Sequence, residues 1–443
     1  MSIPILTKSS RIRAIAGASA GNAIEFFDFA IYGFLAVYIG HNFFPSGNPT
    51  TELLSSFAVF GLAFFARPLG GLVFGSLADK IGRKRVLIIV LTLMSSSSVL
   101  VGVLPNYETI GIAAPVLLVF LRIVQGFSAG GEYGSGSTFL LESSAPGHRG
   151  FGVSWLTVGT TVGVLLGIIV VTGLTAIIGA EAMSAWGWRI PFVFAAPLAL
   201  IALYIRKKLE DTPEFRVLAA KGDIAKAPIR DAFKMKRTML LIFGIGAFHA
   251  TAFYTVFTYM PTYINTVNGF GPELSLWATL LTGLVVAIVL PTVASLSDRV
   301  GRRAVLLSGG IGFGVLVLPA FWLITLGNPI LAVLMQVSMG ALMAASLAAS
   351  AVTMPELFPT KIRTTGMSIG YSIPAALFGG GAPFIATLLI AQTGVTVSPA
   401  FFLIVTAAIG VTAAALLKPT DLFDDTYLGS LAKAEPKSAP SLR

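Results

Sequence analysis

The chain has 443 residues, 55% of them hydrophobic and only 11% charged, with a net charge of +10 and no cysteine. A water-soluble protein of ordinary composition carries roughly a quarter charged residues, so a soluble surface is excluded and lipid must serve as the outer solvent. The missing cysteines rule out disulfides, thiol catalysis and Cys-based zinc sites, and three histidines scattered at His41, His148 and His249 do not form a metal cluster.

In chain order, twelve apolar segments each approach the roughly 20 residues that cross a bilayer. They are predicted at 14–40, 54–78, 86–104, 112–141, 150–178, 188–206, 238–264, 274–297, 304–325, 329–356, 365–391 and 399–417. The first is too long for a signal-peptide core and carries Glu25 and Asp28, so it reads as a retained span. Alternate connections, at 41–53, 105–111, 179–187, 265–273, 326–328 and 392–398, contain no Lys or Arg. The remaining connections and both tails hold 27 of the 30 basic residues, ten of them between Arg206 and Arg237. Basic loops stay on the cytoplasmic side. The expectation is therefore a multi-pass protein of the plasma (inner) membrane with both termini cytoplasmic. The positive charge is topological, and no nucleic-acid partner is expected.

Three basic residues fall in or at the edge of spans: Arg67, Arg122 and Arg189. Arg189, at the outer edge of span 6 beside Trp188, reads as an interfacial anchor. Intramembrane charges cost several kcal/mol unless paired or hydrated, so they are rare and tend to be functional. Glu25 and Asp28 stand at i, i+3 on one face of span 1. Span 2 has Arg67 before Pro68, and span 4 has Arg122 and Glu132 ten residues apart. Taken from the predicted span centres, all five lie within vertical reach of one cavity. An acid in low dielectric beside an arginine suits proton coupling, and a guanidinium suits a bidentate carboxylate contact. Glu25, Asp28, Glu132 and Arg122 are thus the proton-coupling candidates, with Glu132 and Asp28 ranked ahead of Glu25. Arg122 and Arg67 are the candidate substrate cations. Asn22, Tyr32, His249, Tyr254 and Tyr371 are candidate polar contacts.

The sequence also repeats. After span 2 it reads Gly75-Ser-Leu-Ala-Asp79-Lys-Ile-Gly82-Arg83-Lys84, and after span 8 Ala294-Ser-Leu-Ser-Asp298-Arg-Val-Gly301-Arg302-Arg303, an offset of 219 residues. Glu142 followed by Arg149 is echoed by Glu356 followed by Arg363, an offset of 214. Gly75 and Gly82 permit tight turning and close approach. Asp79 can meet the positive end of a helix dipole, and Arg83 is placed to reach Glu142. Asp298, Gly301, Arg302, Glu356 and Arg363 are expected to repeat the arrangement, with Arg149 alongside.

This repeated loop resembles the signature of the major facilitator superfamily. Gly21-Asn-Ala-Ile-Glu25-Phe-Phe-Asp28, Ala66-Arg67-Pro-Leu-Gly70-Gly71, Gln125-Gly-Phe-Ser-Ala-Gly-Gly131-Glu132-Tyr133-Gly134 and Trp186-Gly-Trp188-Arg189-Ile-Pro191 resemble its metabolite:proton symporter family, which includes carriers of 2-oxoglutarate, citrate, shikimate and proline/betaine. The resemblance implies an all-α integral membrane protein of twelve transmembrane helices in two pseudo-symmetric six-helix bundles. Its divisions are an N-terminal bundle at 1–206, a cytoplasmic linker at 207–237, a C-terminal bundle at 238–417 and a cytoplasmic tail at 418–443. It implies a cavity lined by spans 1, 4, 7 and 10, and repeated motif loops that latch the cytoplasmic face. The function expected is proton-coupled symport of a small organic anion, a mono-, di- or tricarboxylate, by alternating access. Uptake of a zwitterionic osmolyte such as proline or betaine is the alternative, because the membrane acids outnumber the arginines. A channel and a membrane enzyme are disfavoured: twin latches suit alternation, and no catalytic constellation is present. The partners expected are an organic anion, a proton and the bilayer, with no cofactor or metal and a monomeric state.

Overall fold

Apolar sequence of bilayer length folds as helix because lipid offers no partner to a bare backbone N–H or C=O. In the computed structural model, which describes residues 8–145, 147–221 and 223–423, eleven helices are long and apolar enough to cross a membrane. A bent pair, Arg11–Phe34 and Ala36–Phe43 at 66°, makes the twelfth and is span 1. Spans 2 to 6 are Leu54–Ile81, Arg83–Val103, Ala113–Ser143, Arg149–Gly187 and Arg189–Lys207. Spans 7 to 12 are Lys236–Asn265, Glu273–Val300, Arg302–Ile324, Pro329–Glu356, Thr360–Ile390 and Pro399–Leu416. Of the expected tail, residues 424–443 lie outside the described residues.

The pairing of helices repeats between the halves. In the first half span 1 packs on spans 5 and 6, span 2 on span 4, and span 3 on spans 4 and 6. In the second, span 7 packs on spans 11 and 12, span 8 on span 10, and span 9 on spans 10 and 12. Two seams join the halves, span 2 against span 11 and span 5 against span 8, and they are each other's symmetry mates. Outward faces carry exposed Leu93 and Leu100 on span 3, Leu200 and Ile201 on span 6, Ile311 and Val315 on span 9, and Phe401 and Val405 on span 12. Those apolar faces are what a hydrocarbon solvent requires.

Two spans are wound more loosely near their middle. Span 7 has a π-turn at Thr255–Tyr259 and span 11 one at Ala375–Gly379, directly after Pro374. Proline has no N–H for its turn and its ring clashes with the carbonyl four residues back, which accounts for the wider turn in span 11. Single π-turns of this kind gather at functional sites. Between spans 6 and 7 the linker forms two short helices, Pro213–Ala220 and Pro228–Lys234.

Candidate functional site

The seam between the halves encloses a cavity of about 10 Å³, room for roughly one water molecule. Arg67 of span 2, Tyr133 and Gly134 of span 4, and Ser368, Tyr371 and Ser372 of span 11 line it. This differs from the expected lining by spans 1, 4, 7 and 10. The difference arises because the helices are drawn together: a Cβ on Gly134 would come 2.0 Å from Ser368 Oγ, and one on Gly75 would come 3.0 Å from Thr365 Cα and Ser368 Cβ. Small residues at both places let span 11 approach spans 2 and 4 closely.

Arg67 is the cation of this cavity. Its Nη2 bonds Glu25 Oε1 at 3.0 Å, and its guanidinium lies 4.6 Å from the ring centres of both Phe29 and Phe64. Glu25 Oε2, Arg67 Nε, the hydroxyls of Tyr133 and Tyr254 and Oγ of Ser368 are buried with no hydrogen-bond partner among the described residues. Buried polar groups are normally satisfied, and three of these, on Arg67, Tyr133 and Ser368, lie on the cavity lining and mark it as a place prepared for something polar. Tyr133 and Tyr371 meet across the seam at 4.5 Å with their rings tilted by 30°, and His249 is edge-on to both. His249 Nδ1 is 2.7 Å from Ser350 Oγ. Between the halves Tyr254 also meets Phe64 edge-on at 5.2 Å, and Phe253 meets Phe26 at 5.6 Å. Rings from the two halves thus meet in both of these places.

Other intramembrane candidates lie inside the first half. Arg122 reaches Asp28 at 3.4 Å and Gln125 at 2.9 Å, while Ser98 donates to the other Asp28 oxygen. The Arg122 guanidinium sits 4.0 Å over the Tyr32 ring, whose hydroxyl donates to Ser56 O. Asn22 donates from its amide to Leu156 O and Thr160 Oγ1, tying span 1 to span 5. The structure therefore places Arg122, Tyr32 and Asn22 away from the cavity lining, and Arg67, Tyr133 and Tyr371 on it.

Glu132 is held by an arginine that charge counting assigns to a loop. Arg206, at the end of span 6, grips both Glu132 oxygens and donates to Gly17 O at 3.0 Å and Leu87 O at 2.5 Å. One guanidinium thereby joins spans 1, 3, 4 and 6. The space for it exists because residue 21 is glycine: a Cβ there would fall 1.6 Å from Arg206 Nη2. Breaking a buried pair by removing one partner costs about 3–5 kcal/mol. Arg206→Gln and Gly21→Ala are each expected to lower the melting temperature in detergent by at least several degrees; melting curves like the parent's would mean the hub contributes little.

At the basic end of the bundle the two repeated motifs, the expected latches, form two charged clusters. Asp79 accepts from Thr365 N at 2.8 Å, Thr365 Oγ1 at 2.7 Å and Thr364 N at 3.4 Å, capping the start of span 11. Arg83 bonds Glu142 at 3.2 Å and Thr360 O at 3.0 Å and lies 3.4 Å from Asp79, while Arg363 reaches Glu142 at 3.3 Å. In the symmetric place Asp298 accepts from Gly150 N at 2.8 Å and Phe151 N at 3.0 Å, capping span 5 just after Arg149. Arg302 bonds Asp298 at 2.7 Å and Glu356 through two nitrogens at 3.1 Å. Each latch therefore runs from one half to the helix start of the other. Gly82 and Gly301 turn the chain with φ of 103° and 93°, a region glycine enters without penalty. Asp211 of the linker accepts from Arg83 N at 3.1 Å, against Gly82. Sequence reasoning missed Asp211 and Thr212, and the signal available was Thr212 as helix cap before Pro213.

The Major Facilitator Superfamily model matches residues 18–373 and again 269–439. The chain belongs to the major facilitator superfamily. As a member it is a multi-pass membrane transporter and not an enzyme. It is similar to the proline/betaine transporter of Escherichia coli (strain K12), 36% identical over 94% of this chain and 85% of that protein. It is likewise similar to the alpha-ketoglutarate permease of the same strain, at 37% over 89% of this chain and 90% of that one. The citrate-proton symporter of Klebsiella pneumoniae is 37% identical over 92% of each chain. In fold it resembles the proton:xylose symporter XylE bound to 6-bromo-6-deoxy-D-glucose, with a TM-score of 0.75, 18% identity and coverage of 93% and 95%.

Proposed function

We propose that this superfamily member takes up a small solute bearing a single carboxylate together with a proton, the latches facing a cytoplasm that holds both termini. The observation that carries the reading is the Glu25–Arg67 pair behind the cavity: one arginine faces the cavity, and its partner is an acid. A substrate carboxylate that takes Arg67 must displace Glu25, and a carboxyl stripped of its partner in low dielectric takes a proton rather than remain a bare charge. The buried arginine stays paired throughout, first by Glu25 and then by substrate. Binding of solute and proton is thereby obligatory in both directions. This order places Glu25 ahead of Asp28 and Glu132 as the coupling acid, since both Glu132 oxygens are bound to Arg206. Asp28, a turn away on span 1, and its partner Arg122 on span 4 are assigned the role of a supporting charge pair.

A di- or tricarboxylate fits less well, because among the described residues no second cation lines the cavity. A zwitterion is a second reading, favoured by the rings of Tyr133, Tyr254 and Tyr371, whose faces attract a quaternary ammonium. The relatives do not decide, since transporters of both kinds are 36–37% identical to this chain. Uptake into proteoliposomes of labelled lactate, glycine betaine, proline, 2-oxoglutarate and citrate, with the outside acidified, tests the reading. Accumulation of a monocarboxylate or a zwitterion is expected; accumulation confined to citrate contradicts it.

A further inference from the structure

The linker enters the latch rather than passing beneath it. Thr212 Oγ1 donates to Glu142 Oε2 at 2.6 Å, and the Phe215 ring lies 5.0 Å from the Arg83 guanidinium. Helix Pro213–Ala220 packs on both span 4 and the turn Thr360–Ile362 that opens span 11, so it touches both halves of the transporter. Glu214 sits within that joint, 3% exposed, its Oε2 without a hydrogen-bond partner. The charged groups that face it are Glu142 from span 4, Arg363 from span 11, Arg149 from span 5 and Arg83 from span 3. Arg83 and Arg363 are already committed to Glu142. Glu214 is therefore a second buried carboxyl facing Glu142, two of whose neighbouring arginines are already engaged.

We propose that Glu214 senses cytoplasmic pH and sets how long the inner latch stays shut: neutral, it lets the linker seat between the halves, and ionised, it drives the linker out. Opening the latch parts span 11 from span 4 and returns Glu214 to water. In the closed joint burial, and after it the charge of Glu142, pushes the carboxyl up to about 8 from its ordinary 4.5. The closed form thus binds the extra proton. The stability this gives the closed form is complete below 4.5 and is lost as pH rises through about 8. An acidified cytoplasm holds the latch closed and an alkaline one frees it. The inference needs only that the halves alternate, and it stands or falls independently of the substrate and of Glu25.

The absence of cysteine allows spin labels on cysteines placed at the exposed Lys80 and Lys361, on opposite sides of the latch. Distance distributions in nanodiscs without substrate give the closed-to-open ratio at pH 6 and pH 8 for the parent, Glu214→Gln and Glu214→Asp. Between those pH values the parent's ratio should change about 50-fold more than that of Glu214→Gln, with the closed form gaining on acidification. Glu214→Asp, which keeps a titrating carboxyl, should retain the parent's direction and show that the site tolerates substitution. A parent ratio that does not change with pH overturns the proposal, as does Glu214→Gln changing as much as the parent.

Discussion

Asp79→Asn should reduce transport at least tenfold, while Lys80→Gln, one residue away, leaves it within about twofold. Asp79 is buried and accepts two short bonds and one long one from the first turn of span 11, with Arg83 beside it. An asparagine keeps one acceptor oxygen and presents an NH2 to donors that need acceptors. It also removes the charge that meets the helix dipole. Buried charge-assisted contacts of this kind are worth about 1.5–3 kcal/mol each, and a loss of about 3 kcal/mol shifts the closed-to-open equilibrium more than a hundredfold. The cycle then stalls with the cytoplasmic side open. Lys80 is exposed and contributes chiefly to topology. The check is initial uptake of the accumulated solute in proteoliposomes containing matched amounts of each variant. Equal rates for the two would remove the latch from the mechanism.

The spans and the contacts of the repeated motifs were legible because each rests on a local rule. A bilayer demands about 20 apolar residues per crossing, and the restriction of Lys and Arg to alternate loops fixes the parity of the spans. The Asp-x-x-Gly-Arg spacing brings an acid and an arginine to one helix end, and its recurrence 219 residues later points to the symmetric partner. Which arginine meets which acid was not legible. Helical spacing puts Glu25 and Asp28 on one face, yet it says nothing of the helices opposite, and in the fold Glu25 meets Arg67 while Asp28 meets Arg122. Arg206 was hidden for a related reason: it closes a span beside Lys207 and Lys208 and reads as one of a basic run. Only the tertiary approach of Gly17, Leu87 and Glu132 turns it into a buried hub. Asn22 and Tyr32 stand on the same span as Glu25, but their partners on spans 5 and 2 draw them away from the cavity.

Glu25→Gln tests most sharply whether Glu25 and the substrate carboxylate compete for Arg67. Glutamine keeps the shape of a protonated glutamate, so the variant behaves as permanently protonated and Arg67 is always open to substrate. Exchange of labelled for unlabelled solute needs no net proton movement and should continue at a rate within several-fold of the parent, with little dependence on pH between about 6 and 8. Concentrative uptake needs a proton to be released on each turn and should fall to the level reached without a pH gradient. Glu132→Gln is the companion, and it should lose exchange, accumulation and folded protein together because it unseats Arg206. The decisive measurement is therefore exchange and accumulation of one solute, side by side, in proteoliposomes of the parent and Glu25→Gln under an imposed pH gradient. Intact exchange with accumulation abolished is the result the competition for Arg67 predicts; accumulation equal to the parent's in Glu25→Gln would contradict it.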